Sequence, residues 1–262
     1  MYEHHEKSIE IMKQFFARRD EVIAVILGGS VAKGCERPDS DLDAMVIITP
    51  EAYAQRVSSN TTVETIFGHC TYEGGYFDTK YMTKEYLIAA AEHGSEPTRN
   101  SFDQARVIYS KDPEIEAILS RVPVFQKSEQ AEKMLSFYAD YFLNYGYFLK
   151  MCKPEGFMRL HAVGEIIYSV YRMILQEQEV LFPCNRRLEE TVAALGGAPE
   201  NIVALGRKLA EDQTDESADA FVNAYLAWRK YPVPEDSSQV LSQYTADFEQ
   251  WWRVPRPLVN EW

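Results

Sequence analysis

Two short stretches hold the residues whose types and spacing could do chemistry: Leu27-Gly28-Gly29-Ser30-Val31-Ala32-Lys33-Gly34 and Asp39-Ser40-Asp41-Leu42-Asp43. Two glycines directly after an apolar run let the backbone pass close to a ligand. A serine and free amides at a helix start then form an anion site. Asp41 and Asp43 stand two apart at the start of a strand, so both side chains leave from one face and point at one spot. Like charges there repel unless cations sit between them. Hard oxygen donors of this kind select Mg²⁺ or Mn²⁺. A phosphate cradle beside such a pair is equipment for phosphoryl or nucleotidyl transfer. A third carboxylate is expected from a neighbouring strand. Asp78 fits, as a charge inside the aromatic, alternating run Tyr76-Phe77-Asp78-Thr79-Lys80-Tyr81, with Glu64 and Glu73 as rivals. Lys33 and Arg37 are candidates to hold outer phosphates, with Lys80 behind them; their plain alternative is a solvated surface charge. Asp39 reads as a loop or cap residue.

The elements that must position these groups alternate between helix and strand. Glu6 to Arg18 reads as an amphipathic helix burying Ile9, Met12, Phe15 and Phe16. Val22 to Leu27 is a continuous apolar, β-branched run and reads as a buried strand. The Gly-Gly-Ser turn opens a short helix, and Leu42 to Thr49 is a second strand. Thr61 to Cys70 and Gly75 to Met82 read as two more, joined by a hairpin through Tyr72-Glu73-Gly74-Gly75. Lys84 to His93 is helical, Ala105 to Tyr109 a short strand, and Pro113 to Arg121 a helix with proline in its first turn.

From Ser128 the texture changes. Met134, Tyr138, Tyr141, Tyr145 and Phe148 recur at bundle-helix spacing within Glu129 to Met151. Phe157 to Gln178, Arg186 to Leu195, Glu200 to Glu211, Glu216 to Arg229 and Gln239 to Trp252 read as further helices. The fold class expected is α+β: a mixed-sheet domain with flanking helices over residues 1–125, then an all-α bundle over residues 126–262. The aromatic stripe from Phe137 to Phe148 reads as bundle core. His161, Glu165, Tyr168 and Arg172 share one face of the second long helix. That face is either an exposed polar stripe or the far wall of a cleft, with Glu165 as general base and His161 or Arg172 on phosphates. His4 and His5 read as surface residues. Trp251, Trp252 and Trp262 read as anchors of the last segment, and Arg186 and Arg187 as weak cleft candidates.

The Gly-Gly-Ser…Asp-x-Asp pattern, with a later acid on a strand, resembles the polymerase-β-type nucleotidyltransferase superfamily. It is most similar to small members that adenylylate aminoglycoside or lincosamide antibiotics and carry a helical second half. The resemblance implies that Gly29 and Ser30, with Lys33 and Arg37 as candidates, hold the triphosphate of an NTP (ATP by preference). It also implies that Asp41, Asp43 and Asp78 bind two Mg²⁺ ions as cofactors. The implied reaction is attack by an acceptor hydroxyl on the α-phosphate with pyrophosphate leaving. The acceptor would be a small molecule, an antibiotic being one candidate, with a glutamate of the helical half as base. Two alternatives stay open: a protein acceptor, as in antitoxin-type relatives, and a nucleotide-binding protein without turnover.

Composition narrows the partners. A net charge of −13 argues against a nucleic acid polymer, which needs a basic footprint. A cationic acceptor would be drawn by the same field. The four cysteines form no CxxC pair and read as plain thiols in a reducing compartment. No apolar run approaches the roughly 20 residues that cross a bilayer, so no membrane partner is expected. No basic segment followed by an apolar stretch opens the chain, and the cytoplasm is the expected location. A homodimer is left open.

Overall fold

A computed structural model describes residues 1–253 of the chain, which divides into two compact units, the first Met1–Val124 and the second from Phe125 onward. The last of the three tryptophans named above, Trp262, lies outside the described residues.

The first unit is built on a five-stranded mixed sheet in the order β3-β4-β2-β1-β5. Its strands are β1 (Val22–Leu27), β2 (Leu42–Ile48), β3 (Val63–Phe67), β4 (Tyr76–Met82) and β5 (Arg106–Ser110). Strand β2 pairs parallel with β4, and every other neighbouring pair is antiparallel. The central strands are buried on both sides, as their unbroken apolar runs require. On one face Leu42, Ala44, Val46 and Phe77 pack with Ile9, Met12 and Phe16 of α1 (Glu3–Ala17). On the other, Ala24, Ile26, Met45 and Ile47 pack against Leu87, Ile118 and Leu119. Those residues come from the helices α4 (Lys84–His93) and α6 (Ile115–Leu119).

The short α2 (Gly29–Ala32) follows β1. Two helices went unread in the sequence, α3 (Pro50–Ser58) and α5 (Glu96–Ser101). Both carry legible start signals. Thr49 caps α3 by accepting from the Ala52 amide and places Pro50 in its first turn, and Ser95 with Pro97 opens α5. Arg99 of α5 is buried and donates to the carbonyls of Ala91, Gly94, Val122 and Val124, closing the end of the unit.

The second unit is helical: α7 (Lys127–Phe142), α8 (Gly156–Glu177), α9 (Asn185–Ala194), α10 (Ile202–Asp212), α11 (Asp215–Trp228) and α12 (Ser237–Tyr244). One continuous helix to Met151 was expected, but α7 passes into a π-helical stretch, Leu143–Met151. Asn144 Nδ2 donates to both the carbonyl and the carboxylate of Asp140 there. A side chain bonding back onto the preceding turn competes with the regular ladder. The aromatic stripe supplies core through Phe137 and Tyr141, while Phe142 and Tyr147 are exposed.

The exposed reading of the polar stripe on α8 fails at Arg172, which is fully buried. Its guanidinium lies over the rings of Phe137 and Phe182 and donates to the Tyr168 hydroxyl. A planar, weakly hydrated cation tolerates such stacking. Among the described residues no helix is long and apolar enough to cross a membrane.

Candidate active site

Parallel pairing of β2 with β4 sets Asp43 directly beside Asp78. Side chains in register on neighbouring strands share a face, and Asp41 reaches that face two residues earlier. The result is one cluster, in which ligand oxygens of Asp41, Asp43 and Asp78 all lie within 4.8 Å of one another, each residue half-exposed. Like charges so placed repel by roughly 1–4 kcal/mol per pair. The sheet can carry that strain because each fully buried Val, Leu, Ile or Phe beneath it contributes about 1.5–3 kcal/mol.

The field of the cluster registers on its neighbour Tyr76. The negative charge of Asp41 pushes the Tyr76 phenol up, followed by burial, a hydrogen bond to Asp41, and the charges of Asp78 and Asp43. Three carboxylate oxygens, from β2, β4 and the residue just before β2, form the donor set that suits a hard divalent cation.

The glycine turn stands against this cluster. The Gly28 amide donates to the Asp43 carbonyl at 3.0 Å. Gly29 has φ +64°, and a Cβ there would sit 1.6 Å from Asp43 Oδ2. Only glycine allows both the left-handed backbone and that approach. Ser30, half-buried, follows in the first turn of α2.

The two basic candidates already have partners. Lys33 Nζ donates to the carbonyl and side-chain oxygens of Asn100 at 3.2 Å each and pairs with Asp103 at 3.3 Å. Arg37 pairs with Asp39 at 3.2 Å on an exposed loop. Lys80 is exposed on β4. Of the rival acids, Glu64 accepts from the Tyr81 hydroxyl at 2.8 Å and pairs with Arg56. Glu73 is exposed beside the hairpin glycines.

Glu165 lies on α8 of the second unit. One of its oxygens is 3.8 Å from His161 Nδ1, and it neighbours Asp140. Asp140 is buried and accepts from Ser169 Oγ at 2.5 Å and from Asn144. Burial, and then the Glu165 charge, push the Asp140 carboxyl well above the usual carboxylate range.

Sequence reasoning gave several residues around the triad no role. Tyr76 was visible in principle, because it alternates onto the face of Asp78. Phe67 pairs with Tyr76 across β3 and β4, 69% exposed, with ring centroids 5.5 Å apart. The pair leaves an aromatic surface next to the acids. His5, expected at the surface, is fully buried, and Nε2 of its ring contacts the Ser40 carbonyl at 3.2 Å. Burial, then the neighbouring His4, hold its imidazole below its ordinary value. No local pattern links residue 5 to residue 40, so nothing in the sequence pointed to that contact.

Residues 7–96 match the model of the nucleotidyltransferase domain family. No curated protein matches the sequence significantly. A nucleotidyltransferase-like protein from Exiguobacterium sibiricum is 10% identical, with a TM-score of 0.43, covering 97% of this chain and 81% of its own. The spectinomycin adenyltransferase AAD(9) from Enterococcus faecialis, solved with ATP and spectinomycin, is 12% identical, with a TM-score of 0.34, covering 92% and 96%. Both overlays are loose.

Proposed function

We propose, for a chain whose residues 7–96 carry a nucleotidyltransferase domain, that it transfers a nucleoside monophosphate from an NTP to a hydroxyl of a small-molecule acceptor. The observation that carries this reading is the convergence of Asp41, Asp43 and Asp78 within 4.8 Å, against a glycine that must be glycine. Two Mg²⁺ ions held by these carboxylates would neutralise the transferring phosphate and ease deprotonation of the acceptor hydroxyl.

The chain's own residues divide the remaining work. Gly29 keeps the backbone low enough for a phosphate to approach, and Ser30 offers its amide and hydroxyl. Lys33 would take an outer phosphate by exchanging Asp103 for it, and Arg37 by leaving Asp39. The turn lies on the β1 side of the acids, and the exposed Phe67–Tyr76 pair on the β3–β4 side. Displacement puts the attacking and leaving oxygens on opposite sides of the phosphorus. With the triphosphate on the turn, the acceptor therefore belongs on the aromatic side. Glu165, beside the buried Asp140, is our candidate for the base that takes the hydroxyl proton. ATP as the donor, an antibiotic as the acceptor and a cytoplasmic setting belong to this same proposal.

The test is pyrophosphate release from ATP with Mg²⁺ over a panel of hydroxylated acceptors. Asp43→Ala should reduce it at least 100-fold with an unchanged circular dichroism spectrum. Undiminished release from this variant refutes the assignment.

A further inference from the structure

Between the glycine turn and Asp41 the chain makes a polar loop, residues 33–40, that belongs to no helix or strand. A loop of this kind would leave the first acid of the triad on a loose lead, yet it is fastened at its far end. The Ser40 carbonyl receives two contacts from distant segments. The Tyr72 hydroxyl donates to it at 2.5 Å, and His5 Nε2 reaches it at 3.2 Å. Ser40 also closes its own turn, its amide donating to the Arg37 carbonyl and its Oγ accepting from the Arg37 amide. Its neighbour Pro38 is held through its carbonyl by His4 Nε2 at 3.0 Å.

The clamp is itself braced. Tyr72 packs edge-on to His5, with ring centroids 5.0 Å apart, and at 4.6 Å from His4. The next strut is a pair of bonds between the hairpin and α1. The Thr71 amide donates to Ser8 Oγ at 3.0 Å, and Thr71 Oγ1 donates to the His4 carbonyl at 3.0 Å. Gly75 leaves the room Tyr72 occupies, since a Cβ there would meet the tyrosine ring at 2.6 Å.

The Ser40 carbonyl belongs to the same planar peptide as the amide nitrogen of Asp41. Two donors on its two lone pairs fix that plane, and with it the direction from which the Asp41 side chain leaves the backbone. The carboxylate itself takes a hydrogen bond from Tyr76. Asp43 and Asp78, by contrast, are set by strand pairing and need no such device.

We propose that His5 and Tyr72 are positioning residues that aim Asp41 through the Ser40 carbonyl, so that the divalent-cation affinity of the triad depends on a side-chain clamp from α1 and the β3–β4 hairpin. This inference rests on the reading of the triad as a metal site.

The probe is Mn²⁺ titrated into the full chain with a non-hydrolysable ATP analogue, free ion being read by electron paramagnetic resonance. Tyr72→Phe deletes one donor and keeps the ring, and His5→Leu deletes the other. His5→Gln restores an amide donor near the place of Nε2. The expected result is Mn²⁺ binding weakened about 10-fold in Tyr72→Phe and His5→Leu and recovered in His5→Gln. The melting temperature of Tyr72→Phe should stay at the wild-type value. Wild-type affinity in Tyr72→Phe overturns the clamp while leaving the triad as a metal site. Weakened binding matched by an equal loss of thermal stability in all three variants also overturns it, making the contacts general stabilisers. Absence of protein-dependent Mn²⁺ binding in the wild type, with Asp43→Ala indistinguishable from it, overturns clamp and metal site together.

Discussion

At the scale of single residues, two glycines with nearly the same φ have opposite surroundings. Gly29 at φ +64° touches Asp43, whereas Gly34 at φ +67° has open space around it. An alanine at either position meets a left-handed strain of about 1–3 kcal/mol. Only at position 29 does the new methyl collide with a member of the triad. Gly29→Ala is therefore expected to lower urea-unfolding stability by more than Gly34→Ala and to abolish nucleotidyl transfer. Gly34→Ala should keep transfer within a few-fold of wild type. Comparable activity in the two variants would remove the close approach from the argument. This contrast was half legible in the sequence. Glycines after an apolar run announced a close approach, but which glycine touched which acid depends on the sheet bringing β2 alongside β1.

At the scale of elements, strands and long helices were the readable part. The continuous run Val22–Leu27 is β1 to the residue, and Lys84–His93 is α4 to the residue. Apolar runs report burial directly. Short helices whose signal lies in their caps, α3 and α5, went unread. The π-helical stretch after α7 was not legible either, because periodicity alone does not announce an Asn side chain bonding back to the preceding turn. The same corner of the bundle yields a pH expectation. Asp140 binds its proton more tightly folded than unfolded, so folding takes up a proton above the ordinary aspartate value near pH 3.9. Stability from this group is present in acid and is lost as pH rises through the folded value. Asp140→Asn, which imitates the protonated form, should stabilise the chain at pH 8 by roughly 1–3 kcal/mol and flatten the slope between pH 5 and 8. Chemical denaturation at the two pH values measures both effects. An equal slope in variant and parent would place the pH dependence elsewhere.

At the scale of the whole molecule, the charge of −13 acts on whatever approaches the site. Acidic surfaces concentrate cations at low salt, and the effect fades once the screening length drops to about 10 Å near 0.1 M. For a cationic acceptor, KM is expected to rise several-fold between about 20 and 200 mM monovalent salt at fixed free Mg²⁺. For a neutral acceptor of similar size it should hardly change. Steady-state kinetics on one acceptor of each kind decides the matter, and identical salt profiles would remove the global field from substrate selection. The broad division into a mixed-sheet half and a helical half showed in texture alone, because alternation gives way to helical periodicity near Ser128. The clamp on Ser40 showed nowhere, since its partners are 35 and 32 residues away and carry no shared pattern.

The in-register pairing of Asp43 with Asp78 makes the site an internal witness to correct assembly. A slip of β4 by a single residue would bring Phe77 or Thr79 level with Asp43 and send Asp78 through to the opposite face, among Leu42, Ala44 and Val46. Such a molecule could retain much of its secondary structure and still hold only two of its three acids together. Restored turnover after refolding would therefore certify strand alignment more strictly than any spectrum of helix and sheet content.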